Sequence, residues 1–168
     1  FYSVGNEGQE FMYDICRAKL DWEIRKDDVE RHICKIKELV VKNLDSYDLS
    51  EENPLLIELY DNNTLKILCI IRNYIKSLDD DTYRLFLKLA LSNILHRTAL
   101  HPIAVPYISI NKSLKNNEKK KKKFSSTCIK MMDDVICQQR SKHPSQVFFH
   151  DSRKKNYQIK DSSCSMCI

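Results

Sequence analysis

A carboxylate, a hydroxyl and a guanidinium stand side by side at Asp151, Ser152 and Arg153, directly after the apolar run QVFFH (146–150). That run reads as a buried strand, so the three residues fall at its carboxyl end. Open α/β sheets gather their ligands in the crevice outside the carboxyl ends of their strands. A carboxylate there can accept a hydrogen bond from an exocyclic amine or a ribose hydroxyl. The plainer reading is a turn, because Asp and Ser side chains bond their own backbone.

Other groups with chemical potential are less organised. Lys119, Lys120, Lys121, Lys122 and Lys123 form an unbroken cationic run. Contact with phosphates there would release counterions, but no aromatic interleaves the run to make a stacking platform, so a solvated loop is the plainer reading. Cys164 and Cys167 make a C-x-x-C without a second ligand pair. In a terminal strand, alternation would turn the two thiols to opposite faces, so no metal site is expected. The five histidines, His32, His96, His101, His143 and His150, are dispersed, with no H-E-x-x-H and no serine in a nucleophile elbow. The two glycines, Gly5 and Gly8, both fall in the first ten residues, which excludes a glycine-rich phosphate loop anywhere later.

The elements that must position these groups are mostly helical. Residues 10–22 carry Phe11, Ile15, Ala18 and Trp22 at helical steps, behind a short apolar lead, FYSV, that suits a strand. Asp27 with Glu30 resembles a capping box opening a second helix, striped by Ile33, Ile36, Val40 and Leu44. Residues 55–60 suit a short helix or an extended segment, interrupted by Asn62 and Asn63. Two apolar helical runs follow, 64–78 and a stretch presenting Phe86, Leu89, Ala90, Asn93, Ile94 and Arg97. They read as an antiparallel pair joined through the acidic turn at Asp79, Asp80 and Asp81. Pro102 and Pro106 push His101 and Val105 toward extended geometry in an irregular crossing segment. Beyond the lysines, Ser125 or Ser126 can cap a helix carrying Cys128, Met131, Met132, Val135 and Ile136, and strand grammar returns in QVFFH and SCSMCI.

At 168 residues and 42% hydrophobic, the chain can bury a core of its own. Seven scattered cysteines, an odd number, behave as small hydrophobes and favour a reducing cytoplasm. No apolar run is long enough to span a bilayer. The formal charge of +5 suits a chain that tolerates polyanions, and much of the excess lies in the lysine run.

The order of these pieces resembles one family. SVGNEGQEFMYDICRAKLDW is similar to the second cofactor motif of S-adenosylmethionine-dependent DNA amino-methyltransferases (N4-cytosine or N6-adenine type), in which a strand ends in an acid and a helix follows. LALSNILHRTALHPIAVPYI resembles the helical insert of a bacterial branch of that family, and VFFHDSR its G-D-S-R strand end, with His150 where the family has glycine. The resemblance implies a mainly α chain with a few strands: an incomplete α/β, Rossmann-like methyltransferase fragment carrying a helical insert. Residues 1–24 would be a partial cofactor-domain strand and helix, 25–145 the helical insert with a basic loop at 115–123, and 146–168 two further strands. Glu7 or Glu10 would accept from the ribose of S-adenosylmethionine, Asp151 would hold the adenine amine, and Ser152 and Arg153 would line the same rim. DNA would be the partner, in a site-specific restriction-modification setting, through the family's catalytic S-P-P-Y loop, whereas contact with nucleic acid through Lys119–Lys123 belongs to the competing expectation of a nucleic-acid-binding module. That loop and the glycine-rich motif are missing from the sequence, and the chain starts without methionine and stops where the loop would follow. The expectation is a piece of a longer or split enzyme, inactive alone and completed by a separate segment. The competing expectation is a non-enzymatic helical interaction or nucleic-acid-binding module.

Overall fold

The computed structural model describes residues 3–21, 23–100, 103–104, 107–108, 123–137 and 145–159. They divide between two compact units, Glu23–Gln138 and the pair of segments Phe1–Trp22 and Gln139–Ile168. Helix dominates, as the apolar periodicity requires.

The unit Glu23–Gln138 is built on α2 (Lys26–Asn43), α3 (Pro54–Leu59), α4 (Asn62–Lys76), α5 (Asp81–Thr98) and α6 (Lys123–Cys137). Helix α2 packs on α4 and α6, and α5 packs on α4 and α6, so these helices enclose one core. Val29, Leu65, Phe86, Leu87, Cys128 and Met132 are fully buried within it. Burial pushes the Cys128 thiol up to about 12, so this side chain serves as a small apolar group.

The local starts of the helices follow from short polar side chains. Asn53 accepts from the Leu55 amide ahead of Pro54, whose missing N–H costs nothing in the first turn. Asp61 accepts from the Thr64 amide at 3.0 Å. Asp80 accepts from the Thr82 and Tyr83 amides, which makes the acidic turn a helix cap.

Several expectations need correction. Helix α2 begins at Lys26 after Arg25, without a side-chain cap bond, so Asp27 and Glu30 form no capping box. Asn62 and Asn63 do not interrupt a helix; they are the first residues of α4, because Asp61 supplies its cap. Helix α6 starts at Lys123, placing Ser125 and Ser126 inside its first turn rather than at its cap. The segment expected to be irregular contains a short antiparallel pair, β2 (Ile103–Ala104) with β3 (Tyr107–Ile108). Leu87 and Phe124 are buried although the sequence stripes omitted them; α5 and α6 each pack against two other helices, so more than one face is covered.

A polar brace fixes the connection 44–53 to α4. Arg72 donates to both Glu52 oxygens, at 3.0 and 2.7 Å, and Tyr47 donates to the same carboxylate at 3.2 Å. Those bonds pull the Glu52 carboxyl down from 4.5 to about 2.

The second unit holds β1 (Val4–Glu7), α1 (Glu10–Leu20) and β4 (Gln146–Phe149). Strand β1 begins at Val4, the last residue of the FYSV lead, and runs on to the acid. The strands run parallel, Val4 opposite Gln146 and Glu7 opposite Phe149, and α1 packs on β4. Of the expected α1 stripe, Ala18 is buried and Ile15 half-buried, Phe11 is exposed, and Trp22 lies outside the described residues. Strand β4 is not buried as expected: Phe149 is 56% exposed, in a sheet that is two strands wide among the described residues, with the Tyr13 ring of α1 against it. Among the described residues, no helix is long and apolar enough to cross a membrane.

Two measurements check this core. Phe86→Ala is expected to lower unfolding free energy by about 3–5 kcal/mol in a denaturant titration, while Val41→Ala on the exposed face of α2 leaves it nearly unchanged. The unfolded Glu52 carboxyl takes up a proton near 4.5 while the folded one stays ionised to about 2. Stability is therefore lost as pH falls through that window, and Arg72→Ala should remove this part of the acid dependence in melts collected across it.

Candidate functional site

The parallel pairing of β1 and β4 brings two chain segments far apart in sequence to one carboxyl edge. The pairing continues beyond the strands on both sides: the Gln146 amide donates to the Ser3 carbonyl at 2.9 Å and the His150 amide to the Glu7 carbonyl at 3.0 Å. Gly8 lies against the start of the 150–156 loop, where a Cβ would meet the Asp151 Cα and the His150 carbonyl oxygen at 3.7 Å. That is ordinary contact distance, so the strand ends approach closely without needing glycine for space. Glu7, the last residue of β1, and Asp151, two residues past β4, thus belong to one edge.

Each acid is ordered by local donors. Glu7 accepts from the Gln9 amide at 2.9 Å, in the turn that leads into α1. Asp151 accepts from the Arg153 amide at 3.0 Å, from its Nε at 3.0 Å and from its Nη2 at 2.9 Å. The Arg153 side chain beside it, then the backbone amide, hold the Asp151 carboxyl below its ordinary value. The Asp151 side chain is 32% exposed and the Arg153 side chain 87% exposed, so solvent screens the pair.

The loop after β4 is tied down by a second set of bonds. Asn156, one of the few buried polar residues, donates from Nδ2 to Asn6 Oδ1 at 2.7 Å and accepts from the Gln158 amide at 2.9 Å. The His150 ring nitrogen Nε2 donates to the Lys154 carbonyl at 3.1 Å, which folds the ring onto its own loop. Ser152 is exposed in the turn. Tyr13 of α1 meets Phe149 with ring centroids 5.5 Å apart, holding the helix against the strand end.

Of the sequence-derived candidates, Glu7, Asp151, Ser152 and Arg153 are therefore gathered at one edge. Glu10 is an exposed residue in the first turn of α1, where its carboxylate faces the helix dipole, and Glu7 is the acid that ends the strand. Lys119, Lys120, Lys121 and Lys122 lie outside the described residues, and Lys123 opens the backbone of α6. Cys164 and Cys167 also lie outside them. Asn156 was missed. Its signal would have been a polar residue just after the acid loop, but nothing local points it at Asn6.

A histidine cluster in the helical unit was missed as well. His32 Nδ1 stands 2.7 Å from the Tyr74 hydroxyl, its ring 5.1 Å from the Tyr83 ring, and Tyr83 donates to Asp28 at 2.7 Å. Burial, then the neighbouring Arg31 charge, lower its affinity for a proton. The partners come from α4 and α5, which no spacing within α2 reveals.

No family model, no curated protein and no solved structure matches this chain.

Removing the guanidinium by Arg153→Ala is expected to raise the Asp151 carboxyl toward its ordinary value. Side-chain carboxyl NMR shifts followed through an acid titration would report this. An unchanged midpoint would mean that the backbone amide alone holds the carboxylate.

Proposed function

We propose that the edge formed by β1 and β4 is an adenosyl-binding rim of a Rossmann-like α/β fold, and that the chain contributes it to a DNA amino-methyltransferase acting on a base exocyclic amine. The observation that carries the reading is the parallel pairing of two strands, the first ending in Glu7 and the second followed two residues on by Asp151, at the same carboxyl end. A ligand at the carboxyl edge of parallel strands is the general arrangement of open α/β sheets.

The donor set fits the cofactor. A carboxylate offers about four acceptor sites, and the three bonds from Arg153 leave Asp151 one for an amine hydrogen. Glu7 uses Oε1 for the Gln9 amide, and its second oxygen suits a ribose hydroxyl. Arg153 positions the Asp151 carboxylate and keeps it ionised. Ser152 offers a hydroxyl to the same rim. When bound, S-adenosylmethionine would supply the methyl sulfonium. The sequence contains no S-P-P-Y to hold an acceptor base and no glycine-rich loop after residue 8, so residues elsewhere would have to grip the amine and orient it for attack.

Titration calorimetry of the chain with S-adenosylmethionine tests this. Saturable binding is expected, weakened roughly tenfold or more by Asp151→Asn, as loss of a charge-assisted hydrogen bond would have it. Methyl transfer to DNA by the chain alone is expected to be undetectable. Absence of saturable binding, or equal affinity in the Asp151→Asn variant, would overturn the reading. DNA binding that falls steeply with salt and survives Asp151→Asn would instead favour a helical nucleic-acid-binding module.

A further inference from the structure

The helical unit contains a cavity of about 380 Å³ between α2, α4, α5 and the first turn of α6, formed by none of the strand-edge residues. Its volume falls in the range of small-molecule sites, about 300–1,000 Å³. It is more than twice the roughly 150 Å³ of an apolar cavity that holds one benzene. The floor is apolar: Ile71 and Ile94 are buried core residues, and Phe124 closes the α6 side. Thr98 also reaches it, but its hydroxyl donates back to the Ile94 carbonyl at 3.0 Å and so adds no free donor to the floor.

The mouth differs from the floor in two respects. Val41 lines it at 83% exposure, a β-branched apolar side chain left in water beside an apolar hollow. Lys37 sits one helical turn before Val41 on the same face of α2 and also lines the cavity. Among the described lining residues it alone carries a charge, and it pairs with no acid among the described residues. An apolar hollow with one cation at its entrance complements an apolar body carrying one anionic head.

We propose that this cavity binds an amphipathic carboxylate of the fatty-acid class, the hydrocarbon body inserted between α2 and α4 and the carboxylate at Lys37. The burial of the chain supplies the affinity and Lys37 selects the head group. The site is independent of the adenosyl rim, so either can stand without the other.

The test uses the whole chain and dodecanoate below its micelle concentration, with dodecanol and dodecyltrimethylammonium as head-group controls, followed by calorimetry. One-to-one binding of dodecanoate is expected, with dodecanol roughly tenfold weaker and the cationic amphiphile weaker still. Lys37→Ala should bring dodecanoate to the affinity of dodecanol. Val41→Glu, at an exposed position that leaves the core intact, should weaken dodecanoate at least tenfold by placing a like charge at the mouth. Ile67→Trp should fill the hollow and remove binding of both, with circular dichroism confirming the fold. Saturable binding that ignores head-group charge would overturn the carboxylate assignment. No binding of any of the three, or dodecanoate affinity unchanged in both Val41→Glu and Ile67→Trp, would overturn the site.

Discussion

Backbone hydrogen bonds between two strands distant in sequence carry the candidate site. Gln146 bonds Ser3 and His150 bonds Glu7, and the parallel ladder between them fixes which residues reach the carboxyl edge. A one-residue slip would exchange the faces of β4 and carry Asp151 away from Glu7. Two parallel strands are marginal by themselves. They are held here by α1 through Tyr13 on Phe149 and by the Asn156–Asn6 bond, which pins the loop carrying Asp151. The entropy of closing the connection between them grows only logarithmically, about 0.6 kcal/mol per doubling of its length. A helical unit can therefore intervene in sequence between the strands at small cost to the ladder.

The helical unit rests on a different kind of interaction. Its stability is spread over many apolar contacts, with Phe86, Leu87 and Cys128 excluded from water, and no single hydrogen bond decides it. Polar side chains there act as braces. Arg72 and Glu52 tie the 44–53 connection to α4, and Tyr83 and Asp28 tie α5 to α2. Each brace satisfies groups that would otherwise be desolvated without partners. The same packing leaves an apolar hollow with Lys37 at its mouth.

How far the sequence could be read depended on the range of the interaction involved. Helices α4 and α5 and the cap at Asp80 follow from neighbours within one or two turns. Helix starts were misjudged where a plausible cap lost to its alternatives: Asp27 lies inside α2, and Ser125 inside α6. Leu87 breaks a one-sided stripe because α5 touches both α4 and α6 and must bury more than one face. At the strand edge, Asp151 was legible from an acid after an apolar run. Arg153 closing on it with three bonds, and Asn156 reaching Asn6, were not, because loop geometry aims them.

The sequence by itself determined a mainly helical chain, its principal amphipathic helices, a strand ahead of α1 and another at Gln146–Phe149, and an acid near the carboxyl end of each. These are outcomes of local periodicity and turn chemistry, which act over a few residues. Only the tertiary structure decided that the strands are parallel neighbours, that Glu7 rather than Glu10 ends the first, and that α2, α4, α5 and α6 leave a hollow between them. Those outcomes depend on backbone bonds and side-chain volumes meeting across long sequence separations, and no local pattern encodes where a distant partner will stand.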